Sequence, residues 1–377
     1  MKRILLLLIL YIGVISAQAF RMETPYVEEN GKLLTRASVN GVEGIFLIDT
    51  GAPCAVTYSF AERAGLKSLQ ASRAYDSNGN IVQTSIVNID RFLLGGVTFS
   101  SLQAMRLEKG NMTESFGIDG IIGYNLLRQG IVKFNGSKRT MMITNDTTGL
   151  EMNPNNAICM VQDPMLTLLS VRIGQVVDTV MFDSGAVDYY EMCTKSYNRM
   201  KDLPETSLVM LGRGKGMLSM GAAGVESASW KARLKAERFF LGNIPYKNVT
   251  TITTDAFESR IGSAWLHLGD VIIDFKNEMF YFQPYNSEQP RDLYQPEWNV
   301  VVVAMNGGLA AGMVWDDGGS GIEAGDPIVA IGSQRVDKID LRTATTQGGF
   351  DLRPDGTQIT FLNRRTGKEE QMKIFMK

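Results

Sequence analysis

The chain has 377 residues and 44% of them are hydrophobic, so it is long enough for two or three domains with buried cores. A formal net charge of −2 at pH 7 argues against a large basic surface for nucleic acid or membranes. The sequence has one histidine, His267, which a Ser-His-Asp site, a Cys-His site or a histidine-rich zinc site would have to use. It lies in an apolar stretch, residues 264–268, which predicts a packing histidine on a helical turn.

The N-terminus has the pattern of a secretory signal peptide. Lys2 and Arg3 precede an apolar stretch at residues 4–15, and residues 17–19 (Ala-Gln-Ala) match a small-x-small cleavage site. The apolar stretch is too short to span a bilayer as a helix. We therefore predict a signal peptide at residues 1–19, export to the periplasm or the outside, and no stable membrane span after cleavage.

An apolar run at residues 45–48 ends on Asp49, which is followed by Thr50, Gly51 and Ala52. The run predicts a strand buried on both faces, so the carboxylate would lie at the edge of a core, where loss of hydration perturbs it. The simplest interpretation of one such motif is a strand and an ordinary glycine turn. A catalytic interpretation needs a second acid.

Further along the chain, short apolar segments broken by glycine and asparagine predict a mainly β fold. Residues 75–81 predict a hairpin, because Asn78-Gly79 between strands favours a type I′ turn. Turn-rich sequence at residues 145–156 predicts a boundary near residue 150.

The second half of the chain repeats the order of apolar run, acid, hydroxyl, glycine and alanine. The repeated residues are Asp183, Ser184, Gly185 and Ala186. Two further pairs follow in the same order: residues 91–97 are similar to 238–244, and 121–123 (Ile-Ile-Gly) are similar to 260–262 (Arg-Ile-Gly). Such repetition predicts one duplicated unit with loop insertions, in which each copy supplies one acid.

Two Asp-Thr/Ser-Gly-Ala motifs, each followed by a hydrophobic-hydrophobic-glycine element, resemble the pepsin-type and retropepsin-like aspartic proteases. The resemblance covers roughly residues 27–285 and implies an acid-protease-like β-barrel fold with lobes at residues 20–150 and 151–285. It implies that Asp49 and Asp183 are the catalytic pair. It also implies that residues 74–84 form a flap over the substrate; an ordinary surface hairpin is the alternative.

The resemblance assigns supporting roles on both acid loops: the hydroxyls would brace the loops against each other, and the glycines would allow tight turns and close approach. The supporting residues are Thr50, Gly51, Ala52, Ser184, Gly185 and Ala186, and the candidate flap residues are Tyr75, Asn78 and Gly79. Arg260 departs from the family pattern, which has an apolar residue at its position.

Paired carboxylates suit hydrolysis of a peptide bond without a cofactor or a metal. Two carboxylates about 3 Å apart do not both ionise cheaply, so they share one proton. The ionised member can take a proton from a water molecule that attacks the amide carbonyl, while the protonated member hydrogen-bonds the developing oxyanion. The sequence does not assign the proton to either aspartate.

Several other residues have simpler interpretations. The three cysteines, Cys54, Cys159 and Cys193, lack metal-like spacing and are predicted to be small buried hydrophobic residues. Asp188 is predicted to cap a helix that begins at Tyr189. Residues 211–216 (Leu-Gly-Arg-Gly-Lys-Gly) lack the ending of a phosphate loop and are predicted to form a flexible loop beside the cleft.

After a polar linker at residues 286–297, residues 298–377 form a separate predicted unit. A β run at 298–304, a tight glycine loop at 307–309, a helix-turn-strand pattern at 321–332 and a closing hairpin at 358–376 resemble bacterial PDZ domains, which are small α+β domains. The resemblance implies binding of an extended peptide, often a C-terminus, by strand addition.

The sequence thus predicts an exported, single-chain aspartic endopeptidase that acts on polypeptides, needs no dimerisation for catalysis, and carries a PDZ-like unit for recruitment or regulation. The alternative is an inactive protease-like scaffold that binds peptides through the PDZ-like unit. A serine or cysteine hydrolase has little support, because no Gly-x-Ser-x-Gly elbow is present.

Overall fold

The computed structural model describes residues 19–222, 224–286, 290–305, 308–316, 321–336 and 352–377. The predicted signal peptide at 1–19 lies outside these residues apart from its last position. Within these ranges no helix has the length and apolar character needed to cross a bilayer.

Strands dominate the chain up to the predicted boundary near residue 150. They are β1 Arg21–Pro25, β2 Val27–Glu29, β3 Lys32–Val39, β4 Val42–Ile48, β5 Ala55–Val56, β6 Ser68–Tyr75, β7 Ile81–Leu94, β8 Val97–Leu107, β9 Gly120–Ile122, β10 Ile131–Asn135 and β11 Thr140–Thr144. Three short helices lie between them: α1 Tyr58–Arg63, α2 Met112–Ser115 and α3 Tyr124–Leu127.

The middle of the chain also consists mainly of strands with a few short helices. Its strands are β12 Ala157–Val161, β13 Leu168–Ile173, β14 Val176–Phe182, β15 Met192–Cys193, β16 Leu208–Gly216, β17 Met220–Gly221, β18 Gly224–Val225, β19 Ser229–Ala236, β20 Phe239–Leu241, β21 Ile244–Lys247, β22 Val249–Thr254, β23 Ser259–Ile261, β24 Gly269–Asp274, β25 Met279–Pro284 and β26 Arg291–Asp292. The helix α4 spans Thr194–Met200, and short 3-10 helices span Pro154–Asn156, Pro204–Thr206 and Ser263–His267.

The last part of the chain contains β27 Val300–Met305, β28 Gly308–Trp315, β29 Pro327–Ile331, β30 Gln334–Arg335, β31 Thr357–Asn363 and β32 Lys368–Ile374. The two last strands pair antiparallel as a hairpin. Residues 321–326 form a bend and a turn before β29, where the sequence predicted a helical start, so that part of the prediction is wrong.

The mainly β prediction is confirmed, and three large sheets contain most of the strands. An eight-stranded sheet, in the order β2-β3-β4-β9-β5-β8-β7-β6, uses residues 27–122 alone. A twelve-stranded sheet takes strands from both sides of residue 150, since β10 pairs with β24 and β12 with β25. The third sheet has ten strands and runs from β15 through β16 and β28 to β32.

One large apolar core spans the first two parts of the chain, and a smaller core lies among residues 300–374. β4 and β14 contribute to the large core with the same alternation of buried and half-buried residues. The alternation differs from the predicted burial of β4 on both faces, because only Phe46 and Ile48 are fully enclosed, whereas Ile45 and Leu47 remain half-buried.

Two segments predicted to be irregular, a loop and a linker, contain strands in the structure. Residues 211–216 belong to β16, which pairs antiparallel with both β19 and β28, so the predicted flexible loop is wrong. Part of the predicted linker at 286–297 forms β26, which pairs in parallel with β21, and Leu293 beside it is buried.

The hairpin at residues 75–81 is present, with Tyr75 opposite Ile81. Its turn is not type I′, because Gly79 has a φ of 77° while Asn78 has no positive φ, and type I′ needs two positive values. Asp76 explains the difference: its Oδ1 accepts hydrogen bonds from the backbone N–H groups of Asn78 and Asn80, which closes a longer loop.

Candidate active site

Asp49 and Asp183 occupy equivalent places at the ends of two similar strand pairs. β4 runs parallel to β9, and the Asp49 N–H donates to the Ile122 carbonyl at 3.0 Å. β14 runs parallel to β23, and the Asp183 N–H donates to the Ile261 carbonyl at 2.9 Å. The apolar side chains of these strands enter the core, so both acids emerge at the same edge of it.

Each acid is held by the glycine two residues after it. The Gly51 N–H donates to Asp49 Oδ1 at 2.9 Å, and the Gly185 N–H donates to Asp183 Oδ1 at 2.8 Å. Each glycine also lies against the acid of the other loop: a Cβ would sit 3.1 Å from Asp183 Oδ1 if added at Gly51, and 2.6 Å from Asp49 Oδ2 if added at Gly185. The need for glycine here is spatial, because the opposing carboxyl groups fill the room a side chain would take.

Two hydroxyl side chains connect the loops reciprocally. Thr50 Oγ1 donates to the Phe182 carbonyl at 2.7 Å and accepts from the Ser184 N–H at 2.9 Å. Ser184 Oγ donates to the Ile48 carbonyl at 2.9 Å and accepts from the Thr50 N–H at 3.1 Å. Both side chains are buried, so these four hydrogen bonds are shielded from water and hold the two loops in register.

The alanines of the two loops are backbone anchors. The Ala52 carbonyl accepts from the Tyr124 N–H at 2.8 Å, at the start of α3. The Ala186 carbonyl accepts from the Ser263 N–H at 2.9 Å, at the start of the 3-10 helix Ser263–His267. These bonds tie each acid loop to the segment that follows β9 or β23.

The electrostatics of the pair suit one shared proton. Loss of hydration, and then the Asp183 carboxylate, raise the pKa of Asp49 to about 8. A hydrogen bond between the two carboxyl groups acts in the same direction, while the Gly51 N–H and Lys32 oppose it. The pair is therefore expected to keep one proton near neutral pH, because two close carboxyl groups are not both charged at low cost.

Arg260 lies in β23, in contact with the second acid. Its Nη1 is 3.4 Å from Asp183 Oδ2, and its Nε donates to Glu191 Oε2 at 2.7 Å. The Arg260 side chain is buried, and the Glu191 and Asp183 carboxylates raise its pKa despite its loss of hydration. The sequence marked Arg260 as a departure but did not predict its partner Glu191.

Lys32 at the start of β3 is a second cation beside the pair. Its Nζ donates to the Gly185 carbonyl, and its charge opposes the pKa increase of Asp49. Nothing in the sequence singled out Lys32 or Glu191, since neither lies in a repeated motif.

Asp188 does not cap a helix, so that prediction is wrong: the next helix is α4, and its N-terminal cap is Cys193, whose Sγ accepts from the Ser196 N–H. Although Asp188 is exposed, loss of hydration and the neighbouring Glu191 raise its pKa to about 7. Glu297 also raises it, which places a carboxylate from the predicted linker near the second acid loop.

The cysteines and the histidine lie outside the acid pair. Cys54 and Cys193 are buried as predicted, whereas the prediction is wrong for Cys159, which is exposed because its side chain points outward from β12. Burial raises the pKa of the Cys54 thiol to about 12. His267 does not pack inside: its side chain is 55% exposed, and its Nε2 lies 2.9 Å from Glu28 Oε1.

The tip of the candidate flap touches the second half of the chain. Asn78 Nδ2 donates to the Ser219 carbonyl at 3.4 Å, and the Tyr75 and Phe257 rings meet edge to face with centroids 6.4 Å apart. Gly79 lies beside the same Phe257 ring. The loop at 76–80 therefore bridges from the eight-stranded sheet to the segments at 219 and 257.

Among the residues that the structure describes, no group of three or more His, Cys, Asp or Glu side chains is placed to hold a metal ion. Comparison with curated proteins finds no match to this chain. A family model described as aspartyl protease matches residues 35–126, which include Asp49, its loop and β9. The similarity is confined to these residues and ends before Asp183.

Proposed function

We propose that this protein is an aspartic endopeptidase that hydrolyses polypeptides with water activated between Asp49 and Asp183. The observation that carries the proposal is the reciprocal placement of the two acids, each bonded to its own loop glycine and lying against the glycine of the other loop. The aspartyl protease match over residues 35–126 supports the reaction class for the first acid and its loop.

In this proposal the reaction uses one proton held by the pair. The ionised carboxylate accepts a proton from the water as its oxygen attacks the amide carbonyl carbon, and the protonated carboxyl group donates to the carbonyl oxygen. The resulting diol collapses when a proton reaches the amide nitrogen and the C–N bond breaks. The hydroxyl network of Thr50 and Ser184 keeps the two carboxyl groups at a fixed separation, which such proton transfers require.

We propose further that the two acid loops descend from an internal duplication and form a two-lobed active site within one chain, so catalysis needs no second copy. The support is the shared arrangement of β4 with β9 and of β14 with β23, in which equivalent positions face each other in parallel register. Export through the predicted signal peptide at residues 1–19 belongs to the same proposal, and places the enzyme in the periplasm or outside the cell.

Cleavage of an unbiased peptide library by the purified chain, from acid to neutral pH, tests the proposed function. The variants Asp49→Asn and Asp183→Asn are each expected to lose at least about 10²-fold in kcat/KM, since each removes a proton-transfer group. Activity that survives both substitutions would rule out this mechanism. Absence of cleavage together with tight peptide binding would instead identify an inactive scaffold.

For residues 298–377 we propose a PDZ-like unit that recruits or orients polypeptide. Its separate apolar core supports a distinct unit, although its sheet continues from β28 into β16, and a cavity of about 300 Å³ lined by Gly308, Leu309, Pro327 and Arg364 offers a place for a peptide end. Both edges of β28 are already paired, with β27 on one side and with β29 and β16 on the other. We therefore expect a peptide to use the cavity, and Arg364→Ala to weaken fluorescent-peptide binding without affecting cleavage of short substrates.

A further inference from the structure

Arg260 makes the two sides of the acid pair unequal. The parallel registers place Leu47 opposite Ile121 on the Asp49 side and Met181 opposite Arg260 on the Asp183 side. Equivalent positions thus hold an apolar residue on the strand beside Asp49 and an arginine on the strand beside Asp183. The Arg260 Nη1 lies 3.4 Å from Asp183 Oδ2, with both side chains less than 10% exposed.

The placement of Arg260 is fixed by a second contact. Its Nε donates to Glu191 Oε2 at 2.7 Å, and the backbones of the two residues exchange hydrogen bonds in an isolated bridge. A guanidinium held this way has little freedom to turn from Asp183. Glu191 neutralises part of its charge, so the field at Asp183 is the balance of both groups.

The other charged groups near the pair do not cancel this asymmetry. Lys32 approaches from β3, and its charge favours an ionised Asp49 and so acts against Arg260, but its ammonium binds the Gly185 carbonyl rather than a carboxylate of the pair. Asp188 lies beyond Glu191, with which it shares a hydrogen bond. Within the part of the chain that the structure describes, Arg260 is the one cation in direct contact with a carboxylate of the pair.

We propose that Arg260 is a positioning residue that keeps the negative charge of the pair on Asp183, so that Asp49 carries the shared proton before substrate binds. The inference rests on the proposed function and deepens it by assigning the two roles. Asp183 then accepts the proton from the attacking water, and Asp49 passes its proton to the carbonyl oxygen. When the diol collapses, Asp183 gives its proton to the amide nitrogen as the C–N bond breaks, and Asp49 recovers a proton from the diol hydroxyl.

The first test is the pH profile of kcat/KM for Arg260→Met, Arg260→Lys and Glu191→Gln. Loss of the guanidinium removes the charge that favours an ionised Asp183, so Arg260→Met should move the acid limb up by about one pH unit. Glu191→Gln should move the same limb down, because it leaves Arg260 uncompensated. Arg260→Lys, which keeps the charge, should keep the limb within a few tenths of a unit of the wild-type position.

A merely structural role predicts a different result, since breaking the ion pair from either side would then lower activity and leave the acid limb where it is. Such a result would overturn the proposal. Shifts of Arg260→Met and Glu191→Gln in the same direction would overturn it too.

The second test needs no catalysis and leaves Arg260 in place. Carboxyl ¹³C NMR titration would follow Asp183 in Asp49→Asn and Asp49 in Asp183→Asn. We expect the pKa of Asp183 to lie at least about one unit below that of Asp49. Equal values, or the reverse order, would refute the assignment even if the enzyme cleaves peptides, whereas the expected order in a chain without activity would refute the proposed function alone.

Discussion

Replacing Thr50 with valine tests whether the reciprocal hydroxyl network holds the active site together. Valine has nearly the same shape as threonine but no hydroxyl, so the change removes the bond to the Phe182 carbonyl and the bond from the Ser184 N–H. A buried polar group left without its partner costs about 1–3 kcal/mol. For the two lost bonds we therefore expect the free energy of unfolding to fall by about 3 kcal/mol.

Urea unfolding at pH 6 would measure this change, and Thr167→Val is a matched control. Thr167 is fully buried, and its Oγ1 has no hydrogen-bond partner in the described structure, so its replacement should be neutral or stabilising. Thr50→Ser keeps the hydroxyl and should retain most of the stability. If Thr50→Val costs no more than Thr167→Val, the network does not stabilise the loops and the reasoning is wrong.

The same network predicts coupling between the two loops. Ser184→Ala removes the bonds to the Ile48 carbonyl and from the Thr50 N–H, and should cost a similar amount. Because Thr50 and Ser184 belong to one network, the double variant should cost about 1 kcal/mol less than the sum of the single variants. Strict additivity would contradict a shared network.

Three further predictions concern Asp49, Gly185 and a buried ion pair. Because the pKa of Asp49 is raised to about 8, the folded chain holds a proton that the unfolded chain releases, and this stabilising contribution is full below about pH 4 and is lost as pH rises toward 8. In guanidinium titrations across that window, the free energy of unfolding of Asp49→Asn should rise relative to that of wild type by up to about 1.4 kcal/mol per pH unit. Parallel pH curves for the two proteins would refute this. Gly185→Ala places a Cβ 2.6 Å from Asp49 Oδ2 and should abolish cleavage, while Gly212→Ala, whose Cβ would have only an ordinary contact at 3.9 Å, should leave it intact; equal kcat/KM values would contradict the close approach. Lys231→Met leaves buried Glu226 without its 2.8 Å ion pair and should lower the free energy of unfolding by about 3–5 kcal/mol, which urea titration would detect; a loss below 1 kcal/mol would refute it.

The candidate site was predictable because its residues repeat in the sequence. Asp49 and Asp183 each follow an apolar strand and precede a hydroxyl residue, and this local order is enough to place each acid at a strand end. The partner of Arg260 was not predictable, because Glu191 is distant in sequence and meets it only when two segments form a bridge. Periodicity describes one strand at a time and carries no information on such contacts.

The strand β16 shows why one element was misread. Its alternating glycines, Gly212, Gly214 and Gly216, have low strand propensity and predicted a loop. In the structure the neighbouring strand β28 comes so close that a Cβ at Gly214 would lie 2.2 Å from the Val314 carbonyl oxygen, and one at Gly216 would lie 2.3 Å from the Gly312 oxygen. The close approach of β28 therefore requires glycine at positions 214 and 216, and strand propensity does not take such a neighbour into account.

The predictions of a type I′ turn at Asn78-Gly79 and of a helix cap at Asp188 failed for related reasons. The Asn78-Gly79 pair favours a two-residue turn, but the Asp76 carboxylate offered the backbone a second set of acceptors and the loop became longer. Asp188 follows the second acid loop, where a bridge between Glu191 and Arg260 replaces the expected helix. In both places contacts outside the local sequence pattern, one with a side chain and one between backbones, outweighed a local preference.

The antiparallel pairing of β16 with β28 has a consequence for any shortened form of the protein. Gly214, Lys215 and Gly216 bond with residues 313–315, so a chain that ends before residue 298 would leave this stretch of backbone N–H and C=O groups facing water. An exposed edge strand with two glycines has few side chains to block pairing, so it can pair with the same edge of another molecule. Proteolytic loss of the C-terminal residues would therefore expose a new sheet edge through which shortened chains can self-associate.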